Sequence, residues 1–399
     1  MRDGWEIKKL GDLCEFQRGL TYTKTDEVEI SDNIVLRATN IDLSTNLLNL
    51  SELKYISDRV AVPDSKKVSK NSMMICTASG SKSHLGKVAY IDDDYGYAFG
   101  GFMGMITPKS ALLPRYLFHL MTSDAYKDFI GKVSDGANIN NLKFDDLRGF
   151  LVPLPSISEQ QRIVSILDQV FEGIATAKAN AENNLKNARQ LFESHLNSVF
   201  SQRGEGWVEK SLGEVCRITS VLVDPRKDEL LDLTHVGAGN IVSQEGALVN
   251  LKTSREESLI SGKFLFDDSM VLYSKIRPYL MKVVRPDFSG LCSADIYPLT
   301  PNLYEITRSY LFHLLLSKSF TDYAIQGSER AGMPKVNREH LFGFLVWLPT
   351  IQKQKELSEK LDQLHSETKH LESIYRKKIA ALDALKKSIL QKAFAGELS

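Results

Sequence analysis

No apolar run in this 399-residue chain approaches the roughly 20 residues that a membrane-crossing helix needs, so no membrane-spanning helix is expected. The four cysteines, Cys14, Cys76, Cys216 and Cys292, show no CxxC spacing, which predicts neither a zinc cage nor a disulfide framework. The opening MRDGWEIKKLGDL is too polar for a secretory signal, and a cytoplasmic protein is the expectation. Neither sign of charge prevails. Fifty basic and fifty acidic residues cancel, which argues against bulk coating of nucleic acid while leaving room for a few well-placed cations.

Catalytic motifs are equally scarce. ASGSKSHLGK (Ala78–Lys87) invites a phosphate-loop reading, but five residues rather than four separate Gly80 from Gly86, and Val88 stands where a magnesium-binding hydroxyl belongs. PDSKK (Pro63–Lys67) has the opening Pro-Asp of a nuclease site without the acidic-x-Lys triplet that should follow in the same domain. There is no [DNS]PP[YF] element for a flipped adenine, no glycine fingerprint for S-adenosylmethionine, and no HExxH or His/Cys cluster for a metal. No catalytic residue and no metal site are predicted.

What the chain does contain is itself, twice. YLFHL occurs at Tyr116–Leu120 and again at Tyr310–Leu314, an offset of 194. At the same offset LRGFLVPLP (Leu147–Pro155) meets LFGFLVWLP (Leu341–Pro349), and Asp168-Gln169 meets Asp362-Gln363. Ser194, Leu196 and Phe200 meet Ser388, Leu390 and Phe394, so one register holds without a gap from Tyr116 to Phe200. Upstream, GWEIKKLGDLCEF (Gly4–Phe16) matches GWVEKSLGEVCRI (Gly206–Ile218) at an offset of 202. Each copy therefore has a shared opening, a divergent middle and a shared close. The repeated histidines read as core or cap residues rather than catalysts.

The closing segments are helical. Ile351–Ala395 holds neither glycine nor proline, and Leu357, Leu361, Leu364, Leu371, Tyr375, Ile379, Leu382 and Ile389 trace a heptad seam with one stutter. The first copy repeats it over Ser158–Gln202, with Leu167, Val170 and Leu185 in the seam and Ser156 or Ser158 available as a cap. Such a helix needs a partner helix, and the other copy in the same chain supplies one if the two run antiparallel.

The middles read as β-rich: MMICTASG, GKVAYIDDD and YAFGGFMGMITP in the first, MVLYSKIRPYLMKVV and GLCSADIYPLTP in the second. Their turns carry the residue types that hold phosphates and read base edges. These are Ser81, Lys82, Ser83 and Lys87, with Asn138, Asn140 and Asn141, in the first copy; Ser274, Lys275, Arg277, Tyr279 and Lys282, with Arg330 and Lys335, in the second.

GFLVPLPSISEQQRIVSILDQV, its second copy GFLVWLPTIQKQKELSEKLDQL and the closing KKSILQKAFAGEL resemble the DNA specificity subunit of type I restriction–modification systems over nearly the whole chain. The resemblance implies an α+β protein: two globular target-recognition domains of mixed α/β structure, joined by two long antiparallel coiled-coil helices in a pseudo-twofold tandem repeat. The expected divisions are residues 1–155 and 204–349 for the recognition domains, and 156–203 and 350–399 for the helices. It also implies a non-catalytic subunit that reads a bipartite double-stranded DNA site. Two modification subunits would carry S-adenosylmethionine chemistry at adenine N6, and restriction subunits would use ATP and magnesium. A single-chain methyltransferase with duplicated recognition domains, or a coiled-coil scaffold without a DNA role, are the alternatives.

Overall fold

The computed structural model describes residues 4–80, 84–135, 141–328 and 333–398. The chain divides into two compact units, Met1–Ala181 with Lys377–Ser399, and Glu182–Arg376.

In each unit the shared opening and the shared close are strand partners. Glu6–Lys9 pairs antiparallel with Leu151–Leu154 in the first, and Val208–Ser211 with Leu345–Leu348 in the second. A backbone hydrogen bond extends each ribbon, Leu10 N–H to the Phe150 carbonyl and Leu212 N–H to that of Phe344, both at 2.8 Å. Thus the two stretches of strongest repetition, far apart in sequence, close each globular body.

Inside that closure the divergent middles are more alike in backbone than in sequence. The first builds an antiparallel sheet in the order Cys14–Arg18, Met103–Pro108, Ser72–Cys76, Val88–Ile91. The second repeats the order with Cys216–Arg217, Ile296–Pro301, Val271–Ser274 and Val283–Val284. Ladder hydrogen bonds are made by backbone, so apolar side chains can change freely while the pairing stays. A second sheet in each unit contains one parallel pair, Asn33–Leu36 with Ala98–Phe99 or Thr234–Val236 with Gly290–Ser293. Divergence concentrates at its margins. The first unit adds Glu27–Val28 beyond Lys54–Ile56; the second adds Lys263–Phe266 and Leu222–Val223 on the opposite side.

The YLFHL helices, Pro114–Thr122 and Arg308–Leu315, are buried at all five repeated positions. Their histidines are core residues whose one polar edge faces the long helix. His119 Nε2 lies 2.7 Å from Asp168 Oδ1, and His313 Nε2 lies 2.7 Å from Asp362 Oδ1. Each long helix also buries a glutamine near its start. Gln160 accepts from Leu113 N–H at 2.8 Å and donates to the Ala111 and Pro155 carbonyls. Gln354 does the same with Thr307 N–H at 2.9 Å and the Glu305 and Pro349 carbonyls. Sequence reading passed over both glutamines, although the offset of 194 relates them.

The long helices run Ile157–Ser201 and Ile351–Ala395. Ser156 caps the first, its Oγ accepting from Glu159 N–H at 3.3 Å. Within the first unit Arg162 donates to the Leu398 carbonyl at 2.7 Å and Lys178 pairs with Asp383 at 2.8 Å, so the helical stretches there are antiparallel. Ile163 and Leu167 are buried with Leu390 and Ala393, while Val170 and Leu382 are half-buried. Within the second unit Arg189 pairs with Glu372 at 3.2 Å and Phe192 meets the His365 ring, again antiparallel, with Leu361 buried and Leu185 and Leu364 half-buried.

The heptad reading needs one correction. Leu371 is 37% exposed, and Thr368 and Glu372 take the buried positions. A carboxylate is tolerable there because Arg189, Arg376 at 2.9 Å and Lys369 at 3.5 Å surround it. Leu361→Ala is expected to cost about 2–5 kcal/mol in denaturant unfolding, whereas Leu371→Ala should cost much less.

The His–Asp pairs also make stability pH-dependent. Burial pushes the His119 and His313 rings below the ordinary histidine range, against the pull of their carboxylate partners. Burial alone would raise Asp168, but hydrogen bonds from His119 and Arg115 outweigh it and hold the carboxyl at about 2. Each ring is therefore neutral with its proton on Nε2, and His313 Nδ1 has no partner among the described residues. Below the unfolded histidine range the unfolded chain takes up protons that the folded rings refuse. Stability is therefore present above that range and lost as pH falls through it. Urea midpoints should drop between pH 7 and pH 5, and His313→Gln should flatten that slope. A slope unchanged in His313→Gln and His119→Gln would contradict the assignment.

Candidate nucleic-acid interface

Each unit brings two of the segments singled out by sequence side by side. In the first unit the chain leaves the strand Ser72–Cys76 and returns antiparallel along Val88–Ile91, with GSKSHLGK in the sequence between them. Ala78 bridges to Asn141, and Leu142 N–H donates to the Thr77 carbonyl at 2.7 Å. The second unit builds the same juxtaposition from different residues. Ile276 bridges to Lys335, Arg277 N–H donates to the Pro334 carbonyl and Val336 N–H to that of Lys275, both at 2.9 Å.

The turn of the second unit is strained. Arg277 and Met281 stand at φ 50° and 47°, left-handed conformations that cost a non-glycine residue about 1–3 kcal/mol. They flank the single turn Pro278–Leu280, and the result points Arg277 and Tyr279 into solvent, Tyr279 at 51% exposure. Lys335 is exposed beside them. The remaining candidates hold the turn together. Ser274 is buried, with its hydroxyl donating to the Ile276 carbonyl at 3.3 Å. The Lys275 ammonium donates to the Ala294 carbonyl and lies 5.2 Å from the Tyr297 ring centroid. Burial first, then the neighbouring Lys335, push its pKa down. Lys282 donates to the Ala238 carbonyl. Asp295 sits 3.7 Å from Lys275 and 3.6 Å from Lys335, anchoring both cations at the turn's base. Arg330 lies outside the described residues.

In the first unit Ser81, Lys82, Ser83, Asn138 and Asn140 also lie outside the described residues. Asn141 is exposed, and Lys87 is half-buried with its ammonium pKa pushed down by burial. Gly86 has a packing role. It stands at φ +75°, and a Cβ there would come within 2.7 Å of Ile130. Sequence reading missed three cations that extend these surfaces. Arg338 is exposed, 5.9 Å from the Tyr297 centroid; Arg18 is exposed, 5.7 Å from that of Phe144; Lys143 is exposed two residues beyond Asn141. Arg338 and Lys143 lie within three residues of segments already singled out, so their position was the available signal.

Among the described residues no group of three or more His, Cys, Asp or Glu could hold a metal ion. No helix there is long and apolar enough to cross a membrane. The four cysteines are free and buried, and burial pushes Cys14, Cys216 and Cys292 up to about 12. Gly86→Ala should destabilise the first unit by about 1–3 kcal/mol in chemical denaturation, from positive φ and the Ile130 contact together.

The comparisons agree with this architecture. A family model described as the type I restriction modification DNA specificity domain matches residues 2–187 and again 204–380. The chain is 29% identical to the EcoDI specificity subunit of Escherichia coli over 317 residues, which is 71% of this chain and 70% of that one. It is 24% identical to the EcoKI specificity subunit of Escherichia coli strain K12, across 100% of this chain and 90% of that one. Its fold is similar to the HsdS subunit from Thermoanaerobacter tengcongensis, with TM-score 0.61 and 20% identity over 100% of this chain and 98% of that one. A chain solved in a study of type I R-M complex assembly and conformational transition has TM-score 0.78 at 18% identity, covering 100% of this chain and 99% of that one. Matched twice over most of its length, the chain belongs to the type I restriction–modification DNA specificity family and carries that domain in tandem.

Proposed function

We propose that this chain reads double-stranded DNA as the specificity subunit of a type I restriction–modification complex, each unit recognising one half of a split site. One observation carries the reading. Both units place a turn at the same point of the same sheet and brace it with the segment that follows the small helices, yet the turns share almost no residues. Common construction with different tips is what two half-sites of different sequence require.

The exposed residues Arg277, Tyr279 and Lys335 suit the task. The Arg277 guanidinium has the fork geometry for the O6 and N7 acceptors of guanine, and the Lys335 ammonium suits a phosphate. Lys87 and Asn141, with Ser81, Lys82, Ser83, Asn138 and Asn140, would form the corresponding surface of the first unit. The chain would supply no chemistry of its own. Two modification subunits would bring S-adenosylmethionine for adenine N6 methylation, and restriction subunits would bring ATP and magnesium. The long helices would determine the unread spacer.

In binding assays on the assembled modification complex, Lys335→Ala should weaken all sites alike and reduce the slope of log K against log salt by about 1. Arg277→Ala should cost about 1–3 kcal/mol and relax one position of the second half-site alone. A loss of selectivity spread over both half-sites would contradict the division of labour. Inserting four residues, about 6 Å of helix, after Asn184 and after Lys378 should lengthen the preferred spacer by about one or two base pairs. An active protein with an unchanged spacer would mean that the helices do not set it.

A further inference from the structure

The Asp–His link that fastens each YLFHL helix to its long helix carries a guanidinium in both units, and the two come from different places. In the first unit Arg115, on the YLFHL helix itself, donates to Asp168 Oδ1 at 2.5 Å and lies 4.8 Å from the Phe118 ring centroid. The residue at its offset of 194 is Ser309, which cannot serve. In the second unit Arg285 donates to Asp362 at 2.5 Å and lies 4.6 Å from the Phe312 centroid, while its other nitrogen donates to Ser309 Oγ at 2.6 Å. Arg285 belongs to the divergent middle, Arg115 to the shared frame.

The residue that faces Arg115 explains the exchange. Strand pairing relates Cys14 through Pro108, Ile106, Met73, Ile75 and Val88 to Tyr90, two residues on. The same walk from Cys216 passes Pro301, Leu299, Val271, Tyr273 and Val283 and ends, two residues on, at Arg285. Tyr90 and Arg285 therefore occupy one position in the two sheets, and Arg115 lies 5.1 Å from the Tyr90 ring centroid. The first unit pairs a sheet tyrosine with a helix arginine. The second pairs a sheet arginine with a helix serine. The guanidinium ends in the same place, on the same Asp–His pair and over the same phenylalanine.

We infer that this guanidinium is a compatibility element between a recognition middle and its frame: exactly one must arrive at each Asp–His link, from either source. Resting on the proposed function, the inference limits which middles a frame can accept. The first middle moved into the second frame would bring Tyr90 opposite Ser309 and leave Asp362 and His313 with no cation. The second middle moved into the first frame would bring Arg285 against Arg115, two like charges at one carboxylate. Arg115 and Arg285 are positioning residues here, acting through the aspartate that holds the recognition body on its helix.

The test transplants the pair within the full chain. Arg285→Tyr alone should lower the thermal unfolding midpoint of the second unit by about 2–5 °C and reduce methylation by the assembled complex. Arg285→Tyr combined with Ser309→Arg, which recreates the first unit's pair, should restore most of both. A chimaera carrying residues 17–113 in place of 219–307 should methylate its new half-site only when Ser309→Arg is added. No recovery in the double substitution, or a chimaera equally active with Ser309, would overturn the inference. The unfolding midpoint needs no DNA, so a failed clamp is distinguished from a failed reading of the chain as a DNA-specificity subunit.

Discussion

Each unit depends on how a β-rich body is fastened to one stretch of long helix, and the fastening is a polar contact in an apolar junction. A buried neutral imidazole donates to a half-buried carboxylate, and a buried glutamine about two turns earlier on the long helix satisfies one backbone N–H and two carbonyls. Apolar packing would hold the body on the helix in several registers at little difference in free energy. Sliding by one turn would strand the histidine, the glutamine and three backbone groups without partners, at roughly 1–3 kcal/mol each. The hydrophobic cluster supplies stability, and these few polar atoms select one arrangement. The recurrence of both side chains at one offset follows from that role.

This fastening separates what must stay from what can vary. The antiparallel ribbon, the YLFHL helix and the start of the long helix form one connected frame in each unit. The four-stranded sheet hung inside the frame keeps its strand order while its apolar residues change. In the second unit the turn beyond it leaves Arg277 and Tyr279 exposed and is pinned at its base by Asp295 and the Ala294 carbonyl. Rigidity at the base and exposure at the tip suit recognition, since an ordered cation loses less entropy on meeting its acceptor.

Much of this was legible in the sequence. The tandem repeat, the strands inside the quoted stretches of both middles and the extents of the long helices could be read from offset and period, because those signals are local or repeated. Strands such as Asn33–Leu36 and Lys263–Phe266 lie outside those stretches and were not read. The pairing of opening with close could not be read, since nothing local marks two short segments as cross-strand partners. The heptad count placed Leu371 in the seam and left Glu372 out, because a periodic pattern cannot show three cations converging on one carboxylate. At the turns, composition identified Arg277, Tyr279 and Lys335 together with Ser274, Lys275 and Lys282. The difference between a cation that faces solvent and one that caps a carbonyl is set by strand geometry several residues away. The exchange of Arg115 for Arg285 was hidden for the same reason: one guanidinium position is reached from two places in the chain.

The central claim is that two separate reading units share one design. It is tested most directly by replacing residues 17–110 with the corresponding middle of another family member that retains a tyrosine at the position of Tyr90. The methylated motif in cells is then mapped at base resolution. The account predicts that one half-site changes, while the other half-site and the spacer stay as they were. A change in both half-sites, or in neither, would contradict it.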